Sequence, residues 1–327
     1  PLRLVGSEMC IRDRFKPDQS LTLVAHDAYW GGRPPLKRIR FLEVPEVSAR
    51  INALRSGEVQ FACDIPPDQI PGIESDAAYE VQGGTILNHR LTVFDKNFPA
   101  LQDARVRRAF THAIDRQAIV DSLWSGRTVV PRGLQWDYYG DMFIADWSVP
   151  KYDPAEAKRL LKEAGYKGEP IPYRLLNNYY TNQTPTAQVL VEMWSQVGLN
   201  VQIEMKENWT QILERSPGRA VRDWSNSAPF NDPVSSLVAQ HGPNGQQQQV
   251  GEYSNEELNR LCVELETSTD RPRRKQVFRR LLEIAEREDP AYTVLHQNAT
   301  FTAKRKDIRW KAAPAFAMEF RANNWTA

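Results

Sequence analysis

The sequence predicts a two-lobed α/β protein. The chain has 327 residues, and at about 150 residues per domain the expected number of domains is two. Strand-like and helix-like segments alternate through the middle of the chain, an order that favours a mostly parallel sheet with flanking helices. Hydrophobic residues make up 41% of the chain and charged residues 25%, a composition typical of globular domains with buried cores.

The charge of the chain is close to neutral and is not concentrated in one sign. Lys and Arg number 42 against 41 Asp and Glu, a net charge of +1, so we expect no nucleic-acid partner. No stretch approaches the ~20 apolar residues of a membrane span, and the first residues lack the pattern of a signal peptide. The three cysteines, Cys10, Cys63 and Cys262, suit neither a disulfide framework nor a close-spaced metal site. We therefore expect a soluble protein with neither metal nor cofactor.

A strand, a helix and a second strand follow one another between residues 39 and 65. IRFLEV (39–44) is β-prone, and the helical spacing of the next segment begins at Ser48 as N-cap and stops at Gly57. VQFACDI then has the pattern of a strand. This order predicts a crossover that places the two strands in parallel within one sheet.

Three helices are predicted in the middle of the chain. Apolar residues at helical spacing indicate one long helix that ends at Gly126. The clearest helix covers 153–166, because Asp153 can cap it and Pro154 suits the first helical position. Another helix is expected to begin with Thr184 as its cap, and the alternating segment NVQIEMKE after it predicts a half-buried strand.

Two segments fit no regular pattern. The loop 129–152 is long for a compact domain, which favours a functional or a disordered segment, and its Trp and Tyr residues argue against disorder. Residues 6–14, GSEMCIRDR, lack helical or strand periodicity. They are similar to the peptide encoded by sequencing-adapter DNA at a metagenomic contig edge. We therefore expect residues 1–14 to be a non-native edge segment.

The residues required for enzymatic chemistry are sparse in the sequence. There are five histidines, and no G-x-S-x-G, H-E-x-x-H, C-x-x-C or phosphate-loop pattern occurs. Asp137 and Asp141 could serve as the acid and base of a glycosidase, but a chain with 41 acidic residues contains many such pairs. A binding protein is favoured, and a hydrolase on an α/β scaffold stays the alternative.

Two polar, aromatic loops are suited to binding a polar organic ligand. The loop after the strand PYRLL is NNYYTNQ, and the segment DWSNSAPFND lies near residue 224. Ligands of open α/β sheets sit outside the carboxyl ends of the strands, and aromatic faces with amide and hydroxyl groups are typical of such sites. Turns rich in Asn with half-buried aromatic residues would give the same pattern without a binding role.

Five motifs occur in order along the chain: DAYWGGRPPLKRIRF, ALRSGEV, QDARVRRAFTHAIDR, YDPAEAKRLLKEAGY and EMWSQVGLNVQIE. In this order they are similar to the motifs of family 5 extracellular solute-binding proteins, the dipeptide-, oligopeptide- and nickel-type receptors of ABC importers. The resemblance runs from about residue 15 to the end of the chain. It rests on the five motifs together, since no single one would suffice.

The resemblance implies a type II periplasmic-binding-protein-like fold, in which two lobes joined by hinge strands close over a ligand. Residues 96–298 would form the distal α/β lobe, and residues 15–95 and 299–327 would form the remainder of the first lobe. Family members begin with a signal peptide and an opening part of the first lobe. We therefore expect the chain to be the C-terminal part of a longer receptor, with its first lobe incomplete. The implied hinge residues are Thr92, Phe94, Asp95, His296, Gln297 and Asn298.

The resemblance also bears on the ligand. In peptide-binding relatives, a Trp followed three residues later by an Asp lies at the cleft, and that Asp holds the amino terminus of the ligand. Trp224 matches the Trp, but Ser227 stands at the Asp position and Asp232 lies further along. This departure counts against recognition of a free peptide amino terminus. Neutral polyols or oligosaccharides, which other branches of the family bind, gain support from the stacking aromatic rings and amide groups. Arg215 and Arg222 keep ligand carboxylates open through bidentate pairing.

The function implied is a receptor that captures a small polar solute, either a peptide or an oligosaccharide-like molecule, and delivers it to the transmembrane subunits of an ABC permease. No covalent chemistry is implied. The expected location is the periplasm, or the extracellular face of a membrane with an anchor, and we expect a monomer. The candidate ligand contacts are Trp224, Asn226, Ser227, Tyr179, Asn178, Arg215, Arg222 and Trp136.

Overall fold

The computed structural model describes residues 10–177, 179–315 and 317–325, with the backbone alone at Ile11. By contact clustering the chain divides into two compact units. Unit 1 takes the chain up to Ile86 and from Ala299 onwards, and unit 2 is Leu87–Asn298. The sequence analysis placed the lobe boundaries at 95/96 and 298/299, whereas this division falls at 86/87 and 298/299.

The described residues contain strands and helices that alternate mainly in the middle of the chain, with short 3₁₀ segments and one π-helical turn between them. The strands are β1 Cys10–Lys16, β2 Ser20–Ala25, β3 Arg38–Leu42, β4 Phe61–Ala62, β5 Tyr79–Phe94, β6 Ile171–Leu176, β7 Val201–Lys206, β8 Val221–Ser227 and β9 Tyr292–Arg305. The helices are α1 Val47–Ser56, α2 Ile70–Glu74, α3 Ala104–His112, α4 Arg116–Trp124, α5 Pro154–Ala164, α6 Gln183–Gln196, α7 Trp209–Leu213, α8 Leu237–His241, α9 Gln246–Gln249, α10 Glu256–Thr267 and α11 Arg271–Glu283. In the described part of the chain, none of these helices has the length and apolar character needed to cross a membrane.

Unit 1 contains two separate strand pairings. A three-stranded antiparallel sheet has the order β1-β2-β3, with Cys10 opposite Ala25. The short strand β4 pairs with β9 instead, also antiparallel. The predicted parallel crossover is therefore wrong, because β3 and β4 belong to different sheets. The segment 10–14 is part of β1, although its sequence lacks strand periodicity, while residues 1–9 lie outside the described residues.

Unit 2 is built on a mixed sheet with the strand order β9-β5-β8-β6-β7. Strand β6 is parallel to both β7 and β8, with Leu176 opposite Lys206. Strand β5 runs antiparallel to β8, with Leu91 opposite Trp224. The prediction of a mostly parallel sheet thus holds for β6, β7 and β8 only. These three strands end at one edge of the sheet.

Capping side chains set the start of some helices but not of others. The long helix predicted to end at Gly126 is two helices, α3 and α4, because Asp115 accepts a hydrogen bond from the amide of Ala118 and starts α4. Helix α5 confirms its prediction: Asp153 accepts from the amide of Glu156 and Pro154 is the first residue. The predicted caps Ser48 and Thr184 are wrong, since α1 begins before Ser48 and α6 begins one residue before Thr184.

Aromatic residues of the loop 129–152 are part of the core of unit 2. Trp136, Tyr139 and Trp147 from this loop are at most 3% exposed. They pack in the apolar cluster that α10 and α11 also form. Tyr139 reaches Ser236 with its hydroxyl, 2.7 Å between the oxygens. The aromatic residues of this loop therefore stabilise the core of unit 2, and the segment is ordered, as its composition indicated.

Candidate ligand-binding site

Four aromatic side chains meet at the edge where β6, β7 and β8 end. Tyr179 and Tyr180 follow β6, Trp209 follows β7, and Trp224 is the middle residue of β8. The ring centroids of Tyr179 and Trp209 are 4.9 Å apart, and those of Trp209 and Trp224 are 4.8 Å apart. Tyr180 lies 4.8 Å from Tyr179 and 6.4 Å from Trp209 by the same measure. We call these four residues the aromatic cluster.

The aromatic cluster has a surface on which a ligand can pack. Tyr179 is 59% exposed, and Tyr180, Trp209 and Trp224 are half-buried. All of these ring contacts are edge-to-face, so rings remain available for stacking or cation–π contacts. The indole N–H of Trp224 donates to Gln240 Oε1 at 3.3 Å. This surface combines apolar faces with a few fixed polar groups, as small-molecule sites do.

An ion pair between Arg90 and Asp223 lies buried beside the cluster. Both residues are at most 2% exposed, and Arg90 Nη2 donates to Asp223 Oδ2. The Arg90 guanidinium carbon stands 3.7 Å from the centroid of the Tyr180 ring. Burial raises the pKa of Asp223 to about 6, although Arg90 acts in the opposite direction. Arg90 Nη1 and Asp223 Oδ1 are buried without a hydrogen-bond partner among the described atoms.

The two candidate arginines differ in availability. Arg222 is buried and donates from Nε and Nη2 to the two carboxylate oxygens of Glu252, at 2.7 and 2.9 Å. Its guanidinium also lies 4.3 Å from the Trp224 ring centroid. Because Arg222 is 2% exposed and its Nε and Nη2 are engaged by Glu252, the structure gives Arg222 a role in holding Trp224 and does not present it as a surface for bidentate pairing with a ligand. Arg215 is exposed.

Two polar candidates, Asn226 and Ser227, are the last residues of β8, and Asp232 follows the strand. Asn226 is buried and donates from Nδ2 to the carbonyl of Ser236 at 3.3 Å, and its Oδ1 has no partner among the described atoms. Ser227 is exposed and accepts a hydrogen bond from Asn88 Nδ2 at 2.8 Å. Asp232 is held by Arg274 through two hydrogen bonds of 2.8 Å. Asp232 therefore already has a full cationic partner.

The structure brings together only part of the predicted ligand contacts. Tyr179 and Trp224 are joined through Trp209, whereas Trp136 lies in the core, with its ring stacked 4.1 Å from that of His89. Asn178 lies outside the described residues. The sequence analysis missed Trp209, although the rule that selects the loop after β6 applies equally to the loop after β7. Asn208 caps α7 there, accepting from the amide of Gln211 at 3.0 Å.

The predicted hinge residues lie in or directly after β5 and within β9. Thr92, Phe94 and Asp95 are at most 4% exposed, and Asp95 Oδ2 accepts from Arg219 Nε at 2.6 Å. His296 and Asn298 are also buried, and burial lowers the pKa of His296 to about 4. Gln297 is half-buried, and its backbone N–H donates to the carbonyl of Val129 at 3.0 Å. A hinge role for these residues stays a prediction.

Four of the described histidines, His89, His112, His241 and His296, make no hydrogen bond to a serine, threonine or cysteine side chain. His112 and His296 contact backbone carbonyl oxygens, and His241 contacts the amide oxygen of Gln247 at 2.6 Å. Burial lowers the pKa of both His89 and His241 to about 3. A nucleophile needs a base within hydrogen-bond reach, and these contacts do not supply one. Among the residues that the structure describes, no group of three or more His, Cys, Asp or Glu side chains could hold a metal ion.

Comparison with known families shows which family the chain belongs to. Residues 11–247 match the middle region of the bacterial extracellular solute-binding proteins, family 5. The chain belongs to this family. The resemblance noted in the sequence motifs is thereby confirmed, and the type II periplasmic-binding fold agrees with the solved structures that the chain matches.

Three relatives show how far the similarity reaches. A Brucella ovis protein named as a peptide-binding protein of an ABC transporter is 34% identical over 200 residues, 58% of this chain and 36% of that protein. The Escherichia coli dipeptide-binding protein is 23% identical over 320 residues, 94% of this chain and 58% of that protein. The crystal structure of a Pseudoalteromonas dipeptide-binding protein in complex with Met-Leu has a TM-score of 0.82 at 21% identity, covering 95% of this chain and 62% of that one. The chain thus spans between about a third and three fifths of these relatives.

Proposed function

We propose that the protein is the substrate-binding receptor of an ABC importer, which captures a small polar solute and presents it to a membrane permease. Membership of the solute-binding family supports a transport role without covalent chemistry. The observation that carries the proposal is the aromatic cluster at the edge where β6, β7 and β8 end. Open α/β sheets bind ligands at this edge, and Tyr179 offers its ring there with 59% of its surface exposed.

Capture would work through closure of the two lobes around the solute. A ligand stabilises a closed state only by the difference between its contacts in the closed and open states. Aromatic rings held in fixed edge-to-face contacts provide such contacts at little cost in side-chain entropy. In this proposal Trp224, Tyr179 and Trp209 contact the solute on unit 2, and Thr92, Phe94, Asp95, His296, Gln297 and Asn298 would form the hinge.

Peptides are the solute class best supported, with oligosaccharide-like molecules second. Two of the relatives are named for dipeptide binding and one for peptide binding. In this chain the carboxylates around Trp224 are engaged internally, Asp223 by Arg90 and Asp232 by Arg274. Ser227 stands at the position where peptide-binding relatives have an Asp. The amino terminus of a peptide ligand would therefore find no free carboxylate there. We infer that the aromatic cluster contributes affinity mainly through ring contacts with the solute.

The partners and location follow from the same proposal. A receptor of this family would deliver its solute to the transmembrane subunits of an ABC permease, in the periplasm or at the outer face of a membrane. We propose that it acts as a monomer and binds no nucleic acid. The near-neutral charge of +1 supports the second point, since nucleic-acid binding needs a concentrated basic surface.

A calorimetric screen of di- and tripeptides and of oligosaccharides against the full-length protein tests the proposal. Trp224→Ala should lower the affinity for the best ligand about tenfold or more. An aromatic contact contributes about 1 kcal/mol in addition to the free energy of burying its surface. Tyr152, 46% exposed and outside the aromatic cluster, provides the matched control, and Tyr152→Ala should bind as the parent does. Equal affinity of the Trp224→Ala variant would overturn the assignment of the site.

The hydrolase alternative makes a different prediction for the same samples. A peptidase or glycosidase would release product from the screened ligands, and the released product would accumulate over hours. A receptor should return each ligand unchanged, so that mass spectrometry of the mixture after incubation shows the starting mass alone. Turnover of a screened ligand that rises in proportion to protein concentration, and that also occurs with the Trp224→Ala variant, would favour an enzyme.

A further inference from the structure

The amide group of Gln183 links the tyrosines of the aromatic cluster to the sheet. Gln183 Oε1 accepts hydrogen bonds from the backbone amides of Tyr179, at 2.6 Å, and Tyr180, at 3.2 Å. Gln183 Nε2 donates to Asp223 Oδ2 at 2.6 Å. One side chain thus holds two consecutive backbone amides and a strand carboxylate. Gln183 is 1% exposed, so water does not compete for these bonds.

The carboxylate of Asp223 is held in turn by Arg90, which also contacts the loop. Asp223 Oδ2 accepts from both Gln183 and Arg90. The Arg90 guanidinium packs on Tyr180, 3.7 Å from the ring centroid. The Tyr180 hydroxyl donates to Ser225 Oγ at 3.0 Å, on the same strand as Asp223. The Tyr180 ring is therefore fixed at its face and at its hydroxyl, and its backbone is fixed by Gln183.

The geometry points to Gln183 and the Arg90–Asp223 pair as positioning residues that hold Tyr179 and Tyr180 in the aromatic cluster. Their effect on ligand selection rests on the proposed function, whereas their effect on the loop does not. Tyr179 is exposed, and its contacts with Tyr180 and Trp209 alone would leave its backbone free to move. The buried amide bonds supply the restraint, and the charge of Asp223 orients Gln183 so that Oε1 faces the loop.

Pre-organisation is the physical consequence of this network. A loop that is ordered before the ligand arrives does not lose conformational entropy on binding. Asn182 adds a second anchor, because its Nδ2 donates to the carbonyl of Leu123 at 2.7 Å. Asn182 itself has φ +56°, which is a left-handed backbone conformation. Its energetic cost must be offset by the surrounding structure. The network therefore stabilises a loop conformation that Tyr179 and Tyr180 need in order to reach Trp209.

Hydrogen exchange of the ligand-free protein tests the assignment. Gln183→Met keeps the length of the side chain and removes all three hydrogen bonds. Exchange at the amides of Tyr179 and Tyr180 should then accelerate about tenfold or more, as expected for the loss of a buried hydrogen bond. The control is Gln117→Met, an exposed glutamine on α4 that bonds Asp121, and it should leave both amides unchanged. Unchanged exchange in Gln183→Met would overturn the assignment.

A charge swap separates positioning from general damage to the fold. In Gln183→Glu the two carboxylates face each other, and exchange should accelerate as in Gln183→Met. In Gln183→Glu combined with Asp223→Asn, the amide introduced on β8 can donate to the carboxylate introduced on α6, whose other oxygen still accepts from the loop. Protection should return to within about threefold of the parent. A double variant that exchanges as fast as Gln183→Glu would overturn Asp223 as the partner that orients Gln183.

Ligand binding distinguishes this inference from the proposed function. With the peptide that binds best in the screen, Gln183→Met should lose affinity about tenfold, and the charge swap should recover most of it. Faster exchange in Gln183→Met with full peptide affinity would support the positioning role and contradict the tyrosines as ligand contacts. Faster exchange with reduced affinity would support both.

Discussion

Trp209 packs edge to face on Trp224, with ring centroids 4.8 Å apart and an angle of 81° between the ring planes. Trp209 follows β7 and Trp224 belongs to β8, with β6 between these strands in the sheet. The contact crosses over the end of β6 and joins two of the three segments that carry the aromatic cluster. It fixes the orientation of the Trp224 ring from one side, while the guanidinium of Arg222 stands 4.3 Å from its centroid.

Trp209→Ala should therefore weaken ligand binding even where the ligand touches only Trp224. Loss of the edge-to-face contact removes about 1 kcal/mol of the free energy that holds the Trp224 ring in its orientation. We therefore expect the affinity for the ligand to fall about fivefold to tenfold. Trp209→Phe keeps an aromatic edge and should lose about half of that free energy. Calorimetry should show the highest ligand affinity for the parent, a lower affinity for Trp209→Phe and the lowest for Trp209→Ala. Trp209→Ala with the affinity of the parent would show that Trp224 needs no support from Trp209.

Asp223 should make stability fall with rising pH in the acid range. Burial raises its pKa from 3.8 to about 6, so the folded state binds a proton more tightly than the unfolded state. The stabilisation by that proton is complete below pH 3.8 and is lost as the pH rises through 6, about 3 kcal/mol in all. Asp223→Asn removes this titration. Urea unfolding at several pH values from about 4 to 7 should show the variant gaining on the parent by about that amount, whereas a constant difference would contradict the shift.

His241 should have the opposite dependence on pH. Its ring stacks on Tyr292 with 4.3 Å between centroids, and burial lowers its pKa from 6.5 to about 3. The unfolded state then takes up the proton first, and the folded state loses stability as the pH falls below 6.5. From about pH 7.5 to pH 5 the loss from this residue should be about 2 kcal/mol. His241→Gln should reduce the loss of the whole protein by that amount in chemical denaturation, and an unaltered pH slope would refute the prediction.

Gly83 and Gly84 form a matched pair in unit 1. Both have positive φ, +133° and +149°, but a Cβ at Gly83 would overlap the carbonyl oxygen of Thr300, while a Cβ at Gly84 meets nothing within 4 Å. Gly84→Ala should cost backbone strain alone, and Gly83→Ala should cost about 2 kcal/mol more because the backbone of β9 must move. Urea unfolding of the two variants gives this difference directly. Equal losses would mean that the close approach is not maintained in solution.

Local structure was predictable where the signal is local. Asp153 and Pro154 define the start of α5 by themselves, and the structure agrees. Strand pairing is not local: the sequence of β5 gives no sign that it lies antiparallel to β8, and the predicted parallel arrangement holds only for three strands of unit 2. The break between α3 and α4 was missed because the apolar spacing continues across it, although Asp115 is a sound N-cap.

The aromatic cluster was partly predictable for the same reason. Tyr179 follows from the rule that ligands lie at the carboxyl ends of strands, and Trp209 would have followed had the rule been applied to β7. Trp224 was expected in a loop of the same kind, and that prediction is wrong, because Trp224 lies within β8. The pair Arg90–Asp223 could not be found, because its members lie far apart in sequence and resemble ordinary polar strand residues. Trp136 was included for its aromatic character, but a ring of this size also fills a core, and here it packs against His89.

Native mass spectrometry of the full-length protein, purified without added solute, tests the central claim most directly. The account predicts that part of the protein carries a small bound molecule that fragments as a peptide, and that Trp224→Ala purified in parallel carries much less of it. Tyr152→Ala should retain the bound mass of the parent. The same bound mass in Trp224→Ala as in the parent, or a bound molecule that is not a peptide, would contradict a peptide receptor that binds through the aromatic cluster.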